Sequence, residues 1–83
     1  MSKKAKKPEG PLAKCVRRSM ETYFKDLNGH KAADIYAMVI NEVERPLLEV
    51  VMKHAGSNQC QAAEVLGINR NTLRKKLKQH GLN

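Results

Sequence analysis

Apolar positions along the first third of the chain fall at Leu12, Val16, Met20, Tyr23, Phe24 and Leu27, the i, i+4, i+7/8 series of one helical face. Asn28-Gly29 follows, two residues tolerant of the left-handed backbone conformation and a good stop signal. The pattern predicts a helix over 12–27. A second series opens after Asp34, a suitable N-cap, and runs to Gly56. Its interior Pro46 removes a backbone hydrogen bond and clashes with the preceding turn at a cost of roughly 3 kcal/mol. The apolar stripe nevertheless crosses it: Ile35, Val39, Val43, Pro46 and Val50 stay within about 80° of one another at the helical repeat. One long helix, kinked at Pro46, is expected.

A helix of some 20 residues is about 30 Å long, as wide as a small domain, and no single neighbouring helix of this chain matches it. A second copy of the chain would cover its face. The expectation is an intertwined homodimer in which helices 12–27 and 35–55 of both copies form a four-helix core. Val16, Met20, Tyr23, Phe24 and Leu27 on the first helix, and Ile35, Val39, Val43, Leu47 and Val50 on the second, would fill it.

The last stretch is organised differently. Ser57-Asn58 opens a third helix with a narrow face of small side chains, Ala62, Ala63 and Leu66, which allows close crossing by another helix. Gly67 permits a tight turn and Ile68 plugs the junction. Asn69 can cap a fourth helix that buries Leu73 and Leu77 at i, i+4. With Leu73 as reference, Arg74, Lys78, Asn71 and Lys75 lie between about 100° and 200° around the fourth helix, opposite its apolar side.

Charge gives that outer arc a meaning. Of the 83 residues, 16 are Lys or Arg and 8 are Asp or Glu, a net charge of +8. Residues 1–18 hold seven cations against Glu9, residues 19–68 hold four against seven acidic groups, and residues 69–83 hold five against none. A polyanion would be met by the ends while the middle packs on itself. An α-helix fits the DNA major groove, the N-terminal residues of a recognition helix meeting base edges and later ones meeting phosphates. Asn69, Arg70 and Asn71 are therefore placed for bases, Arg70 as the bidentate reader of guanine. Arg74, Lys75, Lys76 and Lys78 are placed for the DNA backbone.

Other chemistries find little support. Cys15 and Cys60 are far apart, with no CxxC and no histidine at ligand spacing, so neither zinc nor a disulfide is indicated and both are expected to be small, semi-buried side chains. His30, His54 and His80 read as exposed helix-end or loop residues. Glu42, Glu44 and Glu49 read as the solvated face of the long helix. Thr22 and Ser57 have no evident base partner for nucleophilic work. Neither an enzyme nor a cofactor is expected. Every apolar run is broken by charge within a few residues, so no membrane span is expected. Residues 1–11, MSKKAKKPEGP, look like a disordered basic arm stiffened by Pro8 and Pro11.

The segment EVERPLLEVVMKHAGSNQCQAAEVLGINRNTLRKKLKQHGLN resembles the C-terminal two thirds of the Fis family of bacterial nucleoid proteins. Upstream residues, including Tyr23-Phe24 and the LNG turn, are similar too, so the likeness covers about residues 11–83. The GINRNTLRKKL head is also similar to the end of NtrC-type enhancer-binding activators. The Fis resemblance implies a homodimer of all-α protomers in the cytoplasm, at the nucleoid. It implies binding of double-stranded DNA at degenerate sites with A/T-rich centres, DNA bending and transcriptional regulation. Family DNA contacts carried over by position fall on Asn58, Asn69, Arg70, Thr72, Arg74, Lys75 and Lys76. Cys60 stands where better-known members have threonine, and a thiol is a weak donor to phosphate.

RNA polymerase is a further partner implied by the family, through the turn Lys53 to Ser57, but residue types there differ and the contact is not carried over. The family's invertase contact is not carried over either, because residues 1–10 lack the β pattern of its N-terminal hairpin. The expected architecture is thus a basic arm (1–11), a dimerisation helix pair (12–56) and a helix-turn-helix (57–83). Three rival readings are the DNA-binding end of an NtrC-type activator, an adaptor acting through protein contacts, and a basic arm that serves RNA or a membrane surface.

Overall fold

Four helices and no strand make up residues 8–82, which the computed structural model describes: α1 Pro11–Lys25, α2 Ile35–His54, α3 Gln59–Leu66 and α4 Arg70–Gln79. The fold is all-α, as the periodicities require. Residues 1–7 of the expected basic arm lie outside the described residues, and α1 already begins at Pro11, whose missing N–H costs nothing at a first helical position. The chain divides between Ala33 and Asp34 into two units.

In the first unit α1 ends at Lys25, two residues before the expected stop. The Asp26 N–H still reaches Thr22 O at 2.9 Å, but the Leu27 N–H turns to Phe24 O at 3.4 Å, a tightened last turn. Asn28 (φ 52°) and Gly29 (φ 83°) then take the left-handed conformation anticipated for them. Tyr23 and Phe24 meet edge-on, ring centroids 5.6 Å apart. No residue of α1 is buried.

In the second unit α2 runs unbroken through Pro46, as the phase of its apolar stripe predicts. Asp34 precedes it without acting as a side-chain cap. It adopts φ 55°, ψ 31°, whereas an Asx cap needs an extended backbone to bring its carboxylate to the first free N–H groups. Gly56 (φ 61°) and Ser57 (φ 67°), both left-handed, turn the chain into α3. Asn58 caps α3 by accepting from Gln61 N at 3.0 Å, and Asn69 caps α4 by accepting from Asn71 N at 2.7 Å.

The core of this unit is Leu48, Ala55, Ala62, Ala63, Leu73 and Leu77, with Val51, Met52, Leu66, Ile68 and Leu82 packed against it. The small face of α3 and the Leu73/Leu77 pair are where the sequence put them. Leu48 was not anticipated: it lies off the stripe of Ile35, Val39, Val43 and Val50, and its face of α2 joins the helix to the helix-turn-helix core. Gly67 links α3 to α4 at φ 75°, its N–H donating to Ala63 O at 2.8 Å. A Cβ there would meet no atom within 4 Å. Gly67→Ala therefore changes backbone strain alone and is expected to lower the unit's unfolding free energy by about 1–2 kcal/mol in urea titration.

Candidate nucleic-acid interface

Between the starts of α3 and α4 lies an open concavity of about 690 Å³. Asn58, Gln59 and Cys60 line it from the α3 side, and Arg70, Asn71, Arg74, Lys75 and Lys78 from α4. Four cations and no carboxylate face it. Neither helix has an acidic residue in its first turn, so the positive ends of both helix dipoles are uncompensated and favour an anion.

The caps determine what the asparagines can offer. The Oδ1 atoms of Asn58 and Asn69 are occupied by Gln61 N and Asn71 N, which leaves each amide NH₂ free to donate. Asn58 thus suits a phosphate. Asn69 can donate to guanine O6 or thymine O4, while the bidentate adenine pairing, which also needs the carbonyl oxygen, is closed to it. Arg70 Nη1 donates to Cys60 Sγ at 3.0 Å, which lays the guanidinium across the concavity. Sulfur is a weak acceptor, so exchanging it for a guanine edge costs little. Cys15 and Cys60 are both exposed rather than semi-buried.

Asn71, Arg74, Lys75 and Lys78 reach the concavity as the helical arc predicted, and Arg70 reaches it with them. Thr72 is exposed but does not line it. Lys76, expected on a phosphate, is turned toward α2, where its Nζ donates to Glu44 Oε2 at 2.7 Å. Three helical steps put it about 60° from Leu73, beside the packed face. Gln59 and Cys60, on α3, are lining residues that the reading of α4 alone missed.

Glu44 and His80 both depart from expectation. The Glu44 side chain is only 14% exposed and the His80 side chain 8%, and His80 Nε2 lies 2.9 Å from Glu44 Oε1. Glu44 is therefore a half-buried tie rather than a solvated residue. The hydrogen bond from Lys76, then that from His80, hold its carboxyl below the ordinary glutamate range, against the opposing effect of burial. A depressed folded-state value means that the stabilisation is complete above the unfolded value, about pH 4.3, and is lost as pH falls through the lower folded value. Glu44→Gln should thus melt below the wild type at neutral pH, and the two melting temperatures should converge as pH falls through that lowered value.

Two short helices crossing at a glycine turn, with a cationic concavity over the second, define the helix-turn-helix class of DNA-binding proteins. Residues 39–80 match the family model described as bacterial regulatory protein, Fis family. A Fis-like DNA-binding protein of Ralstonia nicotianae is 57% identical over 72 residues, covering 87% of this chain and 94% of that protein. Fis-like DNA-binding proteins of Neisseria meningitidis serogroups A and B are each 55% identical over 71 residues, covering 86% of this chain and 90% of theirs. The chain belongs to the Fis family.

Proposed function

We propose that the protein is a homodimeric, nucleoid-associated regulator that binds and bends DNA at degenerate sites with A/T-rich centres. The observation that carries this reading is the concavity in which Arg70, Arg74, Lys75 and Lys78 converge without a carboxylate. Arg70 and Asn69 read bases; Arg74, Lys75, Lys78 and the Asn58 amide hold phosphates.

The second copy is supported by what a single chain leaves open. Leu12 is 64% exposed, Phe24 52%, Leu47 48% and Val50 67%, an amount of apolar surface on α1 and α2 that asks for a partner. Sedimentation of the purified protein should give twice the 9.3 kDa of one chain. Two heads held close together on such a core would meet one face of the duplex only if it bends, and the central base pairs would then be selected by how easily they deform. RNA polymerase contact remains a secondary proposal of the family resemblance, for which the turn at Lys53 to Ser57 supplies no specific support.

Footprinting on genomic DNA with a circular-permutation bend assay tests binding, site symmetry and bending together. Within it, Arg70→Ala should erase a preference of about 1–3 kcal/mol at one base pair per half-site, whereas Lys75→Ala should weaken all sites alike. Equal, uniform weakening by both substitutions would remove Arg70 from the base-reading role.

A further inference from the structure

Asn41, Glu44 and Arg45 on α2 face Lys76 and Gln79 on α4 and His80 at its C-cap, each set spaced i, i+3, i+4 and so lying on one side of its helix. Glu44 divides its carboxylate between two partners, Oε2 accepting from Lys76 Nζ at 2.7 Å and Oε1 lying 2.9 Å from His80 Nε2. Arg45 Nη1 donates to His80 O at 2.5 Å, and Gln79 Nε2 donates to Asn41 Oδ1 at 3.2 Å. Leu48, Leu73 and Leu77 lie in the core that joins the same elements.

These two kinds of contact constrain different things. Apolar burial is non-directional and scales with area, so it holds α4 to the unit while tolerating some rotation. Hydrogen bonds to a carboxylate are directional and fix the angle. The polar ladder grips the C-terminal half of α4, whereas the concavity takes side chains from Arg70 onward, at its N-terminal end. A rotation of about 10° about the ladder would move the far end of this helix, roughly 12–15 Å away, by about 2–2.6 Å, well over half of one base-pair step.

We infer that Glu44, through its bonds to His80 and Lys76, is a positioning residue that fixes the angle of the recognition helix on the long helix, and thereby the separation of half-sites the protein accepts. This rests on the two-headed reading proposed above. Glu44 touches no DNA in this account; it acts by aiming residues that do. Because the long helix is shared with the second copy in that reading, an angular change in each head is doubled across the pair. Loss of the ladder therefore blurs spacing before it abolishes binding.

The test uses the full chain and duplexes carrying the preferred site, selected from random DNA, with its half-sites at the preferred separation or one base pair closer or farther. Wild type is expected to discriminate against the altered spacings by about tenfold, equivalent to one or two good contacts. Glu44→Gln and His80→Phe should each reduce that ratio to about threefold or less, and the double variant should do no worse than the stronger single one, since both break the same bond. Circular dichroism establishes that each variant is folded, and His80→Phe carries the test if Glu44→Gln is not. Folded variants that keep the wild-type ratio, or that weaken every spacing by one factor, overturn the inference alone. A wild-type protein that binds one half-site as tightly as two overturns the two-headed reading and this inference with it.

Discussion

Raising salt from about 50 to 200 mM is expected to weaken DNA binding by roughly 10³-fold, and the slope should count the phosphates held. Arg74, Lys75 and Lys78 face the concavity free of carboxylates, which gives three phosphate contacts per head and six for two heads. At about 0.9 counterion per phosphate the slope of log K against log salt is then near −5.4. If Lys76 leaves Glu44 for a phosphate when DNA binds, the count becomes eight and the slope about −7.2, equivalent to a loss of about 10⁴-fold. Titration by fluorescence anisotropy separates the two. A flat response would remove the phosphate-dominated mode of binding altogether, and with it the functional proposal.

Leu73→Ala is expected to unfold the helix-turn-helix rather than merely weaken it. Leu73 is 0% exposed and sits with Leu77 and Ala62 at the centre of the small core. Truncating a leucine there costs about 2–5 kcal/mol through lost burial and the cavity left behind. At 0.05–0.15 kcal/mol per residue, a unit of about 50 residues holds only roughly 2–8 kcal/mol in total. The substitution therefore takes most or all of the margin, and the alanines Ala62 and Ala63 of α3 are too short to refill the space. Thermal melting should show the loss directly, and DNA binding should vanish at every sequence together. Val50→Ala is a useful contrast: Val50 is 67% exposed in the single chain, so in the proposed dimer its main stability cost should depend on protein concentration.

Much of this was legible along the chain because it is local. The i, i+4 recurrence of Leu73 and Leu77, the small face of Ala62 and Ala63, and the continuity of α2 across Pro46 are statements about one helix and its own period. The caps Asn58 and Asn69 act on N–H groups two or three residues away. The cation-rich arc that brings Arg74, Lys75 and Lys78 to one concavity follows from α4 alone. Asp34 shows the limit of even local rules: the right residue type stands at the right boundary, but its backbone is left-handed and its side chain does not cap.

Residues whose partners are distant in sequence were the ones misread. Lys76 and His80 meet Glu44 across 32 and 36 positions, and periodicity on either helix says which side a group faces without saying what stands opposite. A glutamate between apolar positions therefore read as solvated and a terminal histidine as exposed, and the tie of Lys76 to Glu44 was not foreseen. Leu48 and the Arg70–Cys60 bond were hidden for the same reason. Helix content, the turn chemistry and the cationic head are properties of short windows, and the amino-acid order determines them. Which face of α2 carries the head, which lysine is tied to Glu44, and how Arg70 is held by Cys60 depend on packing between segments, where distance in space and distance in sequence part company.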